Sequence, residues 1–178
     1  MAKKLLVIST TLRKRGNSER LAQAFADGAR DAGNDVEFVS LEGKTISFCR
    51  GCLACQKTRK CVIKDDAPAI VAKMKTADVI AFATPIYYYE MSGQMKTLLD
   101  RANPLFESDY NFRDIYLLAT AADTAESAVD GAINGLGGWI SCFEKCALRG
   151  VVRGTGAQDI GDISDEKLAE ARELGGKI

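Results

Sequence analysis

The chain has 178 residues, which predicts one domain, residues 1–178, with enough length to bury a substantial core. Lys and Arg number 24 and Asp and Glu number 24, a balance that excludes a generic nucleic-acid binder. Histidine is absent, which excludes Ser-His-Asp and Cys-His hydrolases, His-ligated zinc and imidazole acid–base chemistry. No apolar run approaches the roughly 18 residues of a membrane span. The opening MAKKLLVIST is too short in its apolar part for a secretory signal, so a cytoplasmic, reducing location without disulfides is expected. Charge is uneven: residues 1–60 hold 12 basic against 6 acidic side chains, and residues 61–178 hold 12 against 18.

Residues 5–9 form a short apolar run without alternation, as expected of a strand buried on both faces of a parallel sheet. A polar loop, 10–16, leads into a helix whose face is Leu21, Phe25, Gly28 and Ala32, capped by Asn17 or Ser18 and ended by Gly33-Asn34. Val36 and Phe38 mark a second strand. Residues 44–64 interrupt the rhythm as a cysteine-rich loop. A helix at 67–76, a strand at 78–84 ended by Pro85, a tyrosine-rich loop at 86–91, a helix at 94–101 and a strand at 115–120 follow. Val129, Ile133, Leu136, Ile140 and Phe143 predict one long helix through Gly135, Gly137 and Gly138, glycines that would let another backbone, such as a partner subunit's, approach closely. A strand at 151–154 and a helix at 165–174 complete the chain.

This alternation predicts an α/β three-layer sandwich around a five-stranded parallel sheet of flavodoxin-like order 2-1-3-4-5. Ligands of such sheets sit at the carboxyl ends of the strands, between strands 1 and 3, which points to the loops 10–17, 85–91 and 120–127. The first loop feeds a helix N-terminus, where free N–H groups and the helix dipole favour an anion. Thr11, Arg13, Asn17 and Ser18 carry suitable phosphate donors, although a basic surface loop would have the same composition. The loop fits neither GxGxxG nor GxxxxGK[ST]. The second loop holds Pro85, Ile86 and three consecutive tyrosines, suited to a flat conjugated ring or to a dimer interface.

Cys49, Cys52, Cys55 and Cys61 fall within thirteen residues, among Arg50, Lys57, Arg59 and Lys60. A [4Fe–4S] cluster, a zinc ion and free thiols packing a loop are all compatible with this spacing. Cys142 and Cys146, four apart on the expected helix, read as small buried hydrophobes, and Trp139 as core or interface.

The segments STTLRKRGNS and ATPIYYYEMSGQMKTLLDR together resemble the flavodoxin-like NAD(P)H-dependent FMN reductase family over nearly the whole chain, with Thr10 and Leu12 standing where Gly and Pro are common. The resemblance implies non-covalent FMN, its phosphate on Thr11, Arg13, Asn17 and Ser18, its ring along Pro85, Ile86, Tyr87 and Tyr88, and the 120–124 loop, with Ala121 and Asp123, at the pyrimidine end. The cysteine block and the following VIKDD resemble the family's iron–sulfur flavoprotein branch, which implies Cys49, Cys52, Cys55 and Cys61 as [4Fe–4S] ligands. Related flavin reductases carry similar loops that need no cluster. The implied activity is hydride transfer from NAD(P)H to FMN and on to a small acceptor such as a flavin or quinone. The alternative is an FMN/[4Fe–4S] electron carrier between redox proteins. No side chain need act as acid or base, because the cofactor carries the chemistry. A homodimer or homotetramer is expected, and no nucleic-acid or membrane partner.

Overall fold

A computed structural model describes residues 2–178. Five parallel strands, β1 (Lys4–Ser9), β2 (Asp35–Ser40), β3 (Val79–Tyr87), β5 (Asp114–Thr120) and β6 (Ala147–Gly154), lie in the order β2-β1-β3-β5-β6. Counted as parallel strands alone, this is the expected 2-1-3-4-5 order. A sixth, two-residue strand, β4 (Glu90–Met91), pairs antiparallel with the end of β3.

Strand alternation builds two cores from one run of residues. Leu6 and Ile8 of β1 face one side, packed with Ile70, Met74, Met95, Leu98 and Leu136 from the helices α3 (Ala67–Thr76), α4 (Gly93–Arg101) and α5 (Asp130–Ile140). Leu5 and Val7 face the other, against Leu21, Phe25 and Ala171 of α1 (Asn17–Asp31) and α6 (Asp165–Gly176). Helices α1 and α6 cross at Gly28, where the space for a Cβ is taken by the Arg172 carbonyl.

Three local expectations are corrected. Pro85 does not end β3: it pairs in register with Thr120, and the strand runs on to Tyr87. Its missing N–H falls on the side where β1 has already stopped, since Ser9 pairs with Ala83 at the last shared register position, so no ladder bond is lost. The 86–91 segment is a hairpin rather than an open loop. The long helix expected through 129–143 is α5 alone, preceded by a 3-10 turn at Glu126–Val129. After Ile140 the backbone tightens into i→i+3 bonds (Cys142 N–H to Trp139 O, Phe143 N–H to Ile140 O), which keeps Phe143 facing inward although the helix has ended. Cys142 and Cys146 therefore do not share a helix face.

The 44–64 segment contains one helical turn, α2 (Ala54–Thr58), between Leu53 and Arg59, both in the left-handed region. Among the described residues no helix is long and apolar enough to cross a membrane.

Candidate functional site

The carboxyl ends of β1, β3 and β5 open into a cleft of about 170 Å³. Thr11, Arg13, Asn17, Ser18, Pro85, Ile86 and Tyr87 all line it. The N-terminus of α1 forms its floor. Asn17 and Ser18 are the first two residues of that helix, so their N–H groups have no intrahelical acceptor, and neither bonds elsewhere among the described residues. Thr11 Oγ1 accepts from the Arg13 N–H at 3.1 Å, which leaves its own proton free to donate. The Arg13 guanidinium reaches across the mouth to the Gln158 carbonyl at 3.3 Å and makes no ion pair among the described residues. The arrangement is a set of converging donors with positive potential, which favours an anion.

The Asn17 side chain has a different part from the one its position suggests. Its Nδ2 donates to the carbonyls of Ala157 (3.3 Å) and Asp159 (2.7 Å), and its Oδ1 accepts from the N–H groups of Gly161 (3.0 Å) and Ile163 (3.4 Å). The amide is spent on holding the 157–163 loop against α1. Only the main-chain N–H of Asn17 remains for a ligand.

Three buried hydroxyls fix the two strand ends that frame the cleft. Thr10 Oγ1 donates to Ala83 O at 2.9 Å and lies 3.1 Å from Ser92 Oγ. Thr84 Oγ1 lies 3.2 Å from the same Ser92 hydroxyl and accepts from the Ser92 N–H. Ser92 Oγ also caps α4 by accepting from the Met95 N–H. The end of β1, the end of β3 and the start of α4 thus share one polar node.

The tyrosine hairpin leans over the rim. Tyr88 and Tyr89 both have positive φ, 49° and 64°, the backbone of a tight hairpin turn that usually selects Asn-Gly. The strained turn is held by two contacts. The Tyr89 hydroxyl donates to Asp123 Oδ2 at 3.1 Å, and the Tyr89 carbonyl packs on Gly131 of α5. The next glycine, Gly135, receives Met91 and Glu90. These α5 glycines make room for the chain's own hairpin, while Gly137 and Gly138 face open space. Asp123 also accepts from the Ala125 N–H, and this bond, with the Tyr89 hydroxyl, holds its carboxyl below the usual range.

Three expected residues lie outside the cleft. Tyr88 is fully exposed at the hairpin tip. Ala121 is buried, its N–H bonded to Gly154 O and its carbonyl to the Ala157 N–H. Asp123 stands at the hairpin clasp. Gly16, Thr120 and Ala122, from the loops expected at the site though not singled out, complete the lining with Ala157 and Gln158, which sequence reasoning missed. The signal for the last two was topological: the loop after β6 emerges at the same edge of the sheet as the loops after β1, β3 and β5.

A second cavity, of about 450 Å³, is lined by Cys49, Cys52, Cys55 and Cys61, with Leu99, Phe106, Trp139 and Phe143. All six cysteines are free thiols. Cys55 is buried, and its Sγ accepts from Asn103 Nδ2 at 3.1 Å. The four loop thiols face one space without closing on one point: among the described residues no three His, Cys, Asp or Glu side chains stand close enough to hold a metal ion. Cys142, expected to be buried, is exposed and lines this cavity as a fifth thiol. Cys146 is half-buried, and burial pushes its thiol up to about 11. Trp139 packs on Phe82, Phe112 and Phe143 and forms part of the cavity wall.

Residues 3–139 match the family described as NADPH-dependent FMN reductase. The chain belongs to that family. Among curated relatives, an iron–sulfur flavoprotein from Methanocaldococcus jannaschii is 38% identical over 102 residues, covering 57% of the chain and 53% of the relative. An iron–sulfur flavoprotein from Archaeoglobus fulgidus is 29% identical over 169 residues, covering 93% of the chain and 74% of the relative. The chain thus spans about half the length of the first and about three quarters of the second. The solved NAD(P)H:quinone oxidoreductase from Methanothermobacter marburgensis superimposes with a TM-score of 0.77 at 16% identity, covering 99% of this chain and 96% of that one, a likeness of fold.

Proposed function

We propose that the chain, acting as a single FMN-binding domain, is an oxidoreductase that takes a hydride from NAD(P)H and passes electrons to a small acceptor such as a flavin or quinone. The observation that carries this reading is the cleft at the strand-order switch point, where an anion-binding helix N-terminus and an apolar, aromatic strand end meet. Its volume, about 170 Å³, is below the roughly 300 Å³ at which small-molecule pockets begin, and suits the phosphate end of FMN. Pro85, Ile86 and Tyr87, at the open rim, would take the ring. Bound FMN supplies the hydride-accepting chemistry, and the protein supplies position and electrostatics.

Thr11, Ser18 and the N–H groups of Asn17 and Ser18 hold the phosphate oxygens, and Arg13 balances their charge. The Thr10–Ser92–Thr84 node keeps β1 and β3 at fixed separation beneath the ring. Tyr87 would screen one edge of the ring from water, and the 120–124 loop would reach the cofactor through Thr120 and Ala122, which line the cleft, rather than through Ala121 and Asp123, which do not. No side chain is asked to move a proton at the ring, because bound FMN would supply the chemistry.

The cysteine cavity supports a second reading, in which the same domain carries a cluster and relays single electrons between redox proteins. The donor set suits it: four thiols line one cavity, Asn103 already donates to the Cys55 sulfur, and Arg50, Lys57, Arg59 and Lys60 offset the charge of four thiolates. Cys49, Cys52, Cys55 and Cys61 would hold a [4Fe–4S] cluster, which supplies one-electron transfer. The loop must close further for the four sulfurs to converge.

The reading includes self-association as a homodimer or homotetramer. Tyr88 and Tyr89 on the hairpin, and Leu12 and Phe48 on a neighbouring surface pocket, are large apolar or aromatic side chains left exposed, as at subunit contacts.

Steady-state NAD(P)H oxidation by the FMN-loaded, anaerobically purified chain tests the enzyme reading. Sustained turnover with quinone or free flavin supports it. FMN and about four irons and four sulfides per chain without turnover would favour the carrier. A chain that takes up no flavin refutes both.

A further inference from the structure

A groove of about 570 Å³ opens between α3 and the 3-10 turn Asn103–Leu105, and it shares no lining residue with the FMN cleft. Helix α3 carries two adjoining apolar faces. Ala67, Ile70, Val71 and Met74 are buried in the core. Pro68, Val71, Ala72 and Lys75, at the i, i+3, i+4, i+7 spacing of a second face, line the groove instead. Pro104 and Leu105 form the opposite wall, and Val71 and Leu105 at the floor are buried. No aromatic ring lines this groove, whereas Phe106, Trp139 and Phe143 line the cysteine cavity.

Its charge is one-sided. Arg59, Lys60 and Lys75 line it and no carboxylate does. Lys73 of α3 is paired with Glu37, but Lys60 and Lys75 make no ion pair among the described residues. Arg59 Nη1 donates to the Phe106 carbonyl at 2.7 Å, which pins its guanidinium at the rim. Ser108 also lines the groove, and its Oγ is shut from solvent with no hydrogen-bond partner. A serine changes rotamer at little cost, so an acceptor in the groove can engage that hydroxyl. The segment carrying Ser108 is fastened beside Lys75: the Asn111 N–H donates to the Lys75 carbonyl at 2.9 Å, and Asn111 Nδ2 to the Thr76 carbonyl at 3.4 Å. These bonds also occupy the last carbonyls of α3, which would otherwise repel an anion.

We propose that the groove binds an aliphatic carboxylate of about ten carbons, a body within the range of small-molecule pockets, with its chain along Val71, Ala72 and Leu105 and its head at Lys75 and Ser108. The aliphatic walls select a chain over a flat ring, and cations without carboxylates select a negative head. An acidic patch on a folded partner would meet the same cations but would not fill the buried floor. Nothing in this site depends on flavin. Cys61 lines both this groove and the cysteine cavity, while Cys142 lines the cavity alone, so a chain seated here covers Cys61 and leaves Cys142 open.

Calorimetric titration of the full, FMN-loaded chain with hexanoate, octanoate and decanoate tests the site. Affinity should rise about threefold per methylene, and decanol should bind about tenfold more weakly than decanoate. No binding of decanoate, or equal binding of decanol, overturns the proposal. Ala72→Trp, which fills the groove from an exposed helix position, should weaken decanoate about tenfold or more while FMN affinity stays unchanged. Unchanged decanoate affinity in that variant places the ligand elsewhere and overturns it. Lys75→Glu should weaken decanoate about tenfold and Ser108→Ala about threefold, and unchanged affinity in either variant overturns the placement of the head. Decanoate should also slow maleimide alkylation of Cys61 and not of Cys142, mapped by mass spectrometry. Protection of Cys142 with Cys61 left reactive would put the chain in the cysteine cavity and overturn the proposal.

Discussion

The carbonyl of Tyr89 occupies the space that a Cβ on Gly131 would need. The hairpin over the candidate ring site and the N-terminal turn of α5 are therefore one packed unit, and the strained Tyr88-Tyr89 turn is held by backbone contact as well as by the Asp123 clasp. Gly131→Ala should push the hairpin away from α5. We expect a loss of stability of about 1–3 kcal/mol, the usual cost of forcing a methyl into a filled space, and weaker FMN binding alongside it. Denaturant unfolding and FMN titration of the variant check both.

Asn17 makes four hydrogen bonds to the 157–163 loop, from a buried position. Asn17→Ala should destabilise the fold by roughly 2–4 kcal/mol, since it strands the buried Ala157 carbonyl and Ile163 N–H as well as removing four bonds. A midpoint shift below about 0.5 kcal/mol in urea would show that the loop is held by something else.

Asp65 offers a pH test. The Arg101 guanidinium, with the Ser47 and Ala67 N–H groups, holds its carboxyl at about 2, below the ordinary 3.8. A depressed folded-state value means that the stabilisation is full above about pH 4 and is lost as pH falls toward 2. Its size is about 2 kcal/mol. Asp65→Asn lacks this increment at pH 7, so the gap between wild type and variant should narrow from pH 4 to pH 2. A constant gap over that range would contradict the assignment.

Tyr88 contacts nothing that would justify a fully exposed aromatic ring in an isolated chain. If it lies in a subunit contact, Tyr88→Asp should shift the protein toward monomer in light scattering, with the hydroxyl node and the fold intact. An unchanged mass would place the contact elsewhere.

Much of this was legible in the residues. The unbroken Leu5–Ile8 run gave a doubly buried strand, and the βα alternation gave the sheet order and the edge where the cleft lies. Seven of the ten residues named for the cofactor line that cleft, because residue type and strand end together determine which side chains can reach it. What was not legible depended on contacts across the fold. Asn17 looks like a phosphate donor until the 157–163 loop, some 140 positions away, is seen to consume its amide. Gly135 suggests a partner subunit until the chain's own hairpin is seen filling it, whereas Gly137 and Gly138 stay open. Arg101 closes a family-like motif without showing that Ser47, Ile63 and Asp65 converge on it. Cys142 reads as core because the stripe through Phe143 hides a helix that has already ended.

The central claim is that the β1–α1 loop holds the phosphate of FMN. Calorimetric titration of FMN and riboflavin into the flavin-free chain, wild type and Arg13→Ala, tests it most directly. The account predicts that the variant loses about 1.5–3 kcal/mol of FMN affinity, the scale of a hydrogen bond to a charged group, with riboflavin affinity unchanged. Equal weakening of both ligands, or no weakening of either, would contradict it.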